Sequence, residues 1–154
     1  MGNILQTLKT SQIKRQKHLS PIIHRRNRLL ANIHQQIEAA KARQEGKQHS
    51  VKRLCRIQNP QTGESIERVK DRIVRESWWM ADDGRIYLEV RYGFKALEVS
   101  KGKTSIDVGD IAQLIPTLEK LKQATEQGEF DDQLTSAYSR LSEQLKAKRN
   151  SSVK

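Results

Sequence analysis

The chain has a single cysteine, Cys55, among 154 residues. One thiol makes no internal disulfide and no cysteine-based zinc cluster, which points to a reducing compartment. No stretch approaches the ~18 consecutive apolar residues of a membrane span. Aromatic residues make up only 5% and hydrophobic residues 35%; with the eight glycines the apolar share is about 40%, below the ~45–50% usual for globular domains. A core built from so little apolar material must be small, and part of the chain is expected to lie outside it. The opening residues MGNILQTLKT lack the charged-then-apolar order of a secretory signal. Met1-Gly2 would suit N-myristoylation, but Gln6 stands where that signal needs Ser or Thr.

Acids are the other scarcity. Residues 1–58 carry thirteen Lys/Arg against Glu38 and Glu45 alone, a net +11, whereas residues 59–154 hold sixteen of each sign and sum to zero. Self-repulsion makes such a split costly for one compact body, so it marks a surface for a polyanion, nucleic acid or an anionic membrane.

Residues 1–19 read as a basic arm with one apolar knot, Ile4-Leu5-Leu8. Ser20 and Pro21 then supply an N-cap and a first helical residue, and Gly46 a stop, for a basic amphipathic helix over 20–46. At ~100° per residue, Ile22, Leu29, Ile33, Ile37 and Ala40 share one stripe, and Arg25, Arg28, Asn32, Gln36 and Arg43 share another. Arg26 falls inside the apolar stripe, a local conflict of the kind that marks functional or partner-facing positions. Strand patterns follow over 51–57 and, drifting toward helical spacing, over 64–76, across the turn Asn59–Gly63. The clearest hairpin joins Ser77–Met80 to Ile86–Val90 across Asp82-Asp83-Gly84, with Ile86, Leu88 and Val90 inward. Strands over 94–99 and 104–108 complete the sheet. Asp110 opens a helix broken by Pro116 into a short turn and a longer piece; Gly128 ends it, and a second helix runs from about Asp131 to Lys148. The fold class is α+β: an antiparallel sheet over about 51–108, a C-terminal helical pair packed as an αα-hairpin, and the basic helix plus arm in front. A core domain over 51–148 is expected to close without the helix, and 149–154 to be a basic tail.

The segment Trp78–Leu121, with its paired tryptophans, DDG turn, YG-x-K-x-L-E strand, KGK and VGD-to-LIPTL helix start, resembles a family of short uncharacterised proteins from phages, prophages and other mobile elements. The resemblance implies a bacterial or viral setting, hence a cytoplasmic protein of a bacterial or phage-infected cell. It implies no chemistry, and no functional residue comes with it.

Enzyme and cofactor signatures are weak. His18, His24, His34 and His49 fit no common zinc spacing and read as polar surface residues. Cys55 would need a basic partner placed by the fold, which flanking Leu54 and Arg56 cannot supply alone, and it reads as an inert strand thiol. Asp82-Asp83 reads as a turn and Asp131-Asp132 as a helix start, for want of further oxygen ligands. The string Lys101–Ser105, KGKTS, lacks the first glycine of a phosphate loop and reads as a hairpin turn. No catalytic residue, metal site or cofactor is expected.

The expected function is a non-enzymatic, largely sequence-independent nucleic-acid-binding accessory protein, for DNA or RNA. Lys14, Arg15, Lys17, Arg25, Arg26, Arg28, Arg43, Lys52, Arg53 and Arg56 are the candidate phosphate contacts, since arginine suits phosphate geometry. Trp78 and Trp79 are the candidate stacking residues; adjacent strand positions face opposite ways, so one should be core and the other should share an open face with Tyr87 and Arg91. The alternative is an inhibitor or adaptor that docks its basic helix on an acidic protein surface.

Overall fold

The basic helix α1, Pro21–Gln44, lies at the centre of the protein. Leu29, Ile33, Ile37 and Ala40 of the expected stripe are buried along it, Ile22 is half-buried and Ala39 is buried outside the stripe; the five buried residues belong to the one hydrophobic cluster of the computed structural model, which describes residues 2–15 and 17–152. Pro21 takes the first helical position; the Ser20 hydroxyl makes no capping bond, and its carbonyl accepts from the His24 N–H instead. Gly46 closes the helix in the left-handed region at φ 71°.

Strands β1 (Ser50–Gln58) and β2 (Ser65–Ile73) pair antiparallel over nine residues as a separate two-stranded ribbon. The segment 64–76, ambiguous in spacing, is thus mostly strand. Strands β3 (Trp78–Met80), β4 (Ile86–Glu89) and β7 (Ser105–Gly109) form a three-stranded antiparallel sheet in the order β3-β4-β7. Strands β5 (Arg91–Tyr92) and β6 (Lys95–Ala96) make a small hairpin around Gly93. A short 3₁₀ turn, Ile111–Gln113, leads into α2 (Leu114–Gln127), with Pro116 harmless in its first turn; α3 follows over Asp131–Ser151. The α+β class holds, with antiparallel pairing from 50 to 109 divided among three sheets.

Ile86, Leu88 and Val90 turn inward as their alternation requires, and Leu114, Leu118 and Leu121 of α2 and Leu134 and Ala137 of α3 meet them and α1. Both C-terminal helices lie against α1, and contact between the two is slight, so the expected αα-hairpin is replaced by α1 serving as their common partner. The helix expected over 20–46 and the core expected over 51–148 share this one cluster, five of whose buried residues belong to α1. The three-stranded sheet offers too few inward side chains to cover α2 and α3 alone, and α1 supplies the missing apolar face. Conversely, no ribbon residue from 50 to 73 joins the core. The helix α3 also runs through residues expected as tail, to Ser151; Val153 and Lys154 lie outside the described residues.

The arm is exposed at every described position from 2 to 19. Deleting residues 1–18 should leave the thermal midpoint nearly unchanged, whereas deleting 1–48 should abolish cooperative unfolding by circular dichroism. Leu29→Ala, at a site 1% exposed, should cost about 2–5 kcal/mol in chemical denaturation.

Candidate nucleic-acid interface

The polar stripe of α1 is fastened to the rest of the domain along its length. The Arg25 guanidinium carbon lies 4.2 Å from the centre of the Tyr138 ring, and its Nη1 donates to Thr135 Oγ1 at 3.3 Å. Arg28 stands 5.6 Å over Tyr92. Asn32 Nδ2 donates to the Arg91 carbonyl at 3.1 Å. Gln36 is buried: its Nε2 donates to the Arg75 carbonyl and its Oε1 accepts from the Ser77 N–H, both at 3.0 Å. Arg43 Nη1 pairs with Glu76 Oε1 at 3.0 Å.

Arg26, the odd cation of the apolar stripe, forms a two-pronged ion pair with Asp131 at the start of α3, its Nε donating to Oδ1 at 2.7 Å and its Nη2 to Oδ2. Hydrogen bonding to Arg26 holds the Asp131 carboxyl below the usual carboxylate range, and the same bond raises Arg26. Gly128, the left-handed cap of α2 at φ 87°, sits beside the pair; a Cβ there would come within 2.6 Å of Arg26 Nη2. The helix arginines expected to hold phosphates thus hold the fold. A carboxylate of the same chain occupies the fork of Arg26, and Arg43 gives one N–H to Glu76 while staying largely exposed. Arg56 is likewise paired, with Glu67 across the ribbon at 3.4 Å.

A second set of cations is left over. An open cleft of about 930 Å³ lies among α1, the base of the ribbon and the outer face of β3–β4. Lys52, Arg53, Arg72, Arg75 and Arg91 line it, with Glu76 and Glu89 as its acids. Both acids are taken up, Glu76 by Arg43 and Glu89 by Arg91 at 2.9 Å. Lys52, Arg53, Arg72 and Arg75 have no carboxylate within 4 Å among the described residues. Of these only Lys52 and Arg53 are legible as candidates in the sequence. Arg72 and Arg75 lie in the nearly neutral part of the chain, and only strand pairing brings them beside the basic segment.

The tryptophans divide as alternation requires. Trp78 is buried at 7% exposure, which removes it as a stacking residue, and Trp79 is 41% exposed. Trp79 stacks on its cross-strand partner Tyr87 at 6.1 Å between ring centres. Trp79 and Phe94, the latter 61% exposed, put two rings in the cleft beside the cations. The Tyr87 hydroxyl donates to Asp83 Oδ2 at 2.8 Å, and Asp83 Oδ1 accepts from the Arg85 N–H, so this acid closes the hairpin turn. Asp131 starts α3, and Lys101–Lys103 is a turn bridged by Ser100 and Lys103. No group of three or more potential metal ligands occurs among the described residues, and no described helix is long and apolar enough to cross a membrane. Lys14, Arg15 and Lys17 sit in the exposed arm, away from any carboxylate among the described residues.

Residues 4–134 match the model of a family of unknown function, DUF6641. The chain belongs to this family. No curated protein and no solved structure matches it. The expected kinship with an uncharacterised family is met at that level, and the match to DUF6641 extends well beyond Trp78–Leu121 to take in α1, the ribbon and the start of α3.

Two measurements check these assignments in the DUF6641 protein. Trp78→Ala should cost about 3–5 kcal/mol of stability, whereas Trp79→Ala should cost far less, having no core volume to vacate. Because the folded-state pKa of Asp131 lies below its unfolded value, its contribution is complete above the ordinary carboxylate range and is lost as pH falls through the folded value. The stability difference between wild type and Asp131→Asn should be constant above about pH 5 and shrink below about pH 4.

Proposed function

We propose that this protein is a non-enzymatic, largely sequence-independent nucleic-acid-binding accessory protein, and that it serves a phage or mobile element in the cytoplasm. The observation that carries the binding reading is the cleft. Its own acids are neutralised by arginines, four further cations stand without carboxylate partners among the described residues, and two exposed rings lie beside them. Phosphates attract such cations whatever the base sequence, and rings stack on bases whatever their identity. The arm, with Lys14, Arg15 and Lys17, adds a second cationic segment that can follow a phosphate backbone. Arg25 and Arg28 keep their charge while resting on tyrosines, so they extend the positive field without filling their hydrogen-bonding capacity on a carboxylate.

Fluorescence anisotropy with labelled single-stranded DNA, duplex DNA and RNA over a salt series tests the reading. With about six phosphates engaged, log K should fall against log salt with a slope near −4 for single strands, about −0.7 per contact. Trp79→Ala should weaken single-strand binding by about 1–3 kcal/mol. Absence of binding at low salt would exclude nucleic acid and favour an acidic protein partner.

A further inference from the structure

The ribbon has two chemically different sides. Cross-strand partners in an antiparallel pair project to the same side, and successive pairs alternate. On one side Lys52 faces Asp71 and Arg56 faces Glu67, so charge cancels across the strands. The other side carries Arg72 opposite Val51, Arg53 opposite Lys70, and Arg68 opposite Cys55. That side therefore holds four cations and no acid. The two sides differ by four charges, three of them sorted by alternation within β2 itself.

Arg53 and Lys70 stand directly opposite each other, an arrangement that destabilises a strand pair. No carboxylate lies within 4 Å of either among the described residues. All of β2 is exposed, and the ribbon contributes nothing to the core. Nine pairs extend it to about 27 Å at ~3.4 Å per residue. Such a ribbon matches the major groove of B-form DNA, about 12 Å wide, whereas the major groove of A-form RNA is too narrow to admit it.

We propose that the face bearing Arg53, Arg68, Lys70 and Arg72 seats the ribbon in the major groove of duplex DNA, with these cations reaching the flanking phosphates. This deepens, and rests on, the nucleic-acid reading above. Arg53 and Arg72 also line the cleft, so a backbone held by the ribbon continues toward Arg75.

Two variants separate the two sides: Arg53→Gln/Lys70→Gln on the cationic face, and Arg56→Gln, whose charge Glu67 balances and which lies outside the cleft, on the other. The first should weaken binding to a labelled DNA duplex roughly tenfold or more near 0.15 M salt and make the salt slope shallower by about 1.8, two contacts at about 0.9 each. The second should leave the slope nearly unchanged. Arg68→Gln/Arg72→Gln, which leaves the Arg53–Lys70 pair in place, should repeat the loss. Thermal melting of the first variant should be equal to or above that of wild type, because a repulsive pair is gone. Duplex RNA of the same length should bind wild type more weakly and respond little to any of the three. Equal losses from the two faces, or duplex DNA binding unaffected by either cationic-face double, would overturn the ribbon assignment while leaving the nucleic-acid reading intact. A wild-type protein that binds no nucleic acid would overturn both.

Discussion

The ion pair between Arg26 and Asp131 ties three helices at one point. It joins the first turns of α1 to the start of α3 and rests against Gly128, the residue that ends α2. A side chain at Gly128 would meet the guanidinium, and its φ of 87° is itself one that glycine adopts most readily. Arg25 on Thr135 and Tyr138, and Leu134 and Ala137 in the shared core, hold α3 along the same line as this arginine, aspartate and glycine. The pair is partly exposed, so screening limits its energy; its value lies in geometry, because a planar fork on a carboxylate fixes direction as well as distance. Farther along α1, Gln36 does the same for the sheet, binding both the carbonyl of Arg75 and the N–H of Ser77 as the chain leaves the ribbon for β3.

Low apolar content makes such polar fastening necessary. The cluster around Leu29, Leu88, Leu118 and Leu134 takes its α1 side chains from Leu29, Ile33, Ile37, Ala39 and Ala40. Along the adjoining flank, around the buried Ala39 and Gln36, Arg25, Arg28, Asn32 and Arg43 reach rings, a carbonyl and a carboxylate. The electrostatic consequence reaches the cleft. Glu76 and Glu89 would offset the cations there, but Arg43 and Arg91 hold them, so the field facing solvent keeps one sign. Arginines spent on structure thus leave other cations uncompensated.

Much of this was legible in the residues. The apolar stripe of α1, the inward Ile86, Leu88 and Val90, the split between Trp78 and Trp79, and the turn at Asp82-Asp83-Gly84 all follow from periodicity and turn chemistry. The place of α1 did not. A helix with so many arginines reads as peripheral, because sequence periodicity shows which face is apolar and not how much of the polar face finds partners. The misfit of Arg26 was visible, but its partner, Asp131, is 105 residues away. Half of the candidate interface was illegible for a related reason. Arg68, Lys70, Arg72 and Arg75 are interleaved with Glu67, Asp71 and Glu76, so a charge count over that stretch comes out near balance. Strand alternation sorts Glu67 and Asp71 from Arg68, Lys70 and Arg72 once the segment is known to be a strand, and the register with β1 adds Arg53 to the cationic side.

That sorting also bears on why a protein with a thin core carries an unsupported ribbon. An isolated two-stranded ribbon is marginal in water, and a like-charge pair at its middle weakens it further. Its anchorage is confined to the base, where the Val74 N–H donates to the His49 carbonyl and the His49 ring meets Gln35 Oε1 at 2.9 Å. Because no ribbon side chain enters the core, the repulsion between Arg53 and Lys70 is a local cost that leaves the packing of α1, α2 and α3 untouched. A polyanion against that face would turn the same repulsion into attraction and stiffen the strands along it. Structural stability and charged surface are thereby assigned to separate parts of the chain, and the base of the ribbon, beside Gln35 and Gln36, is where the two meet.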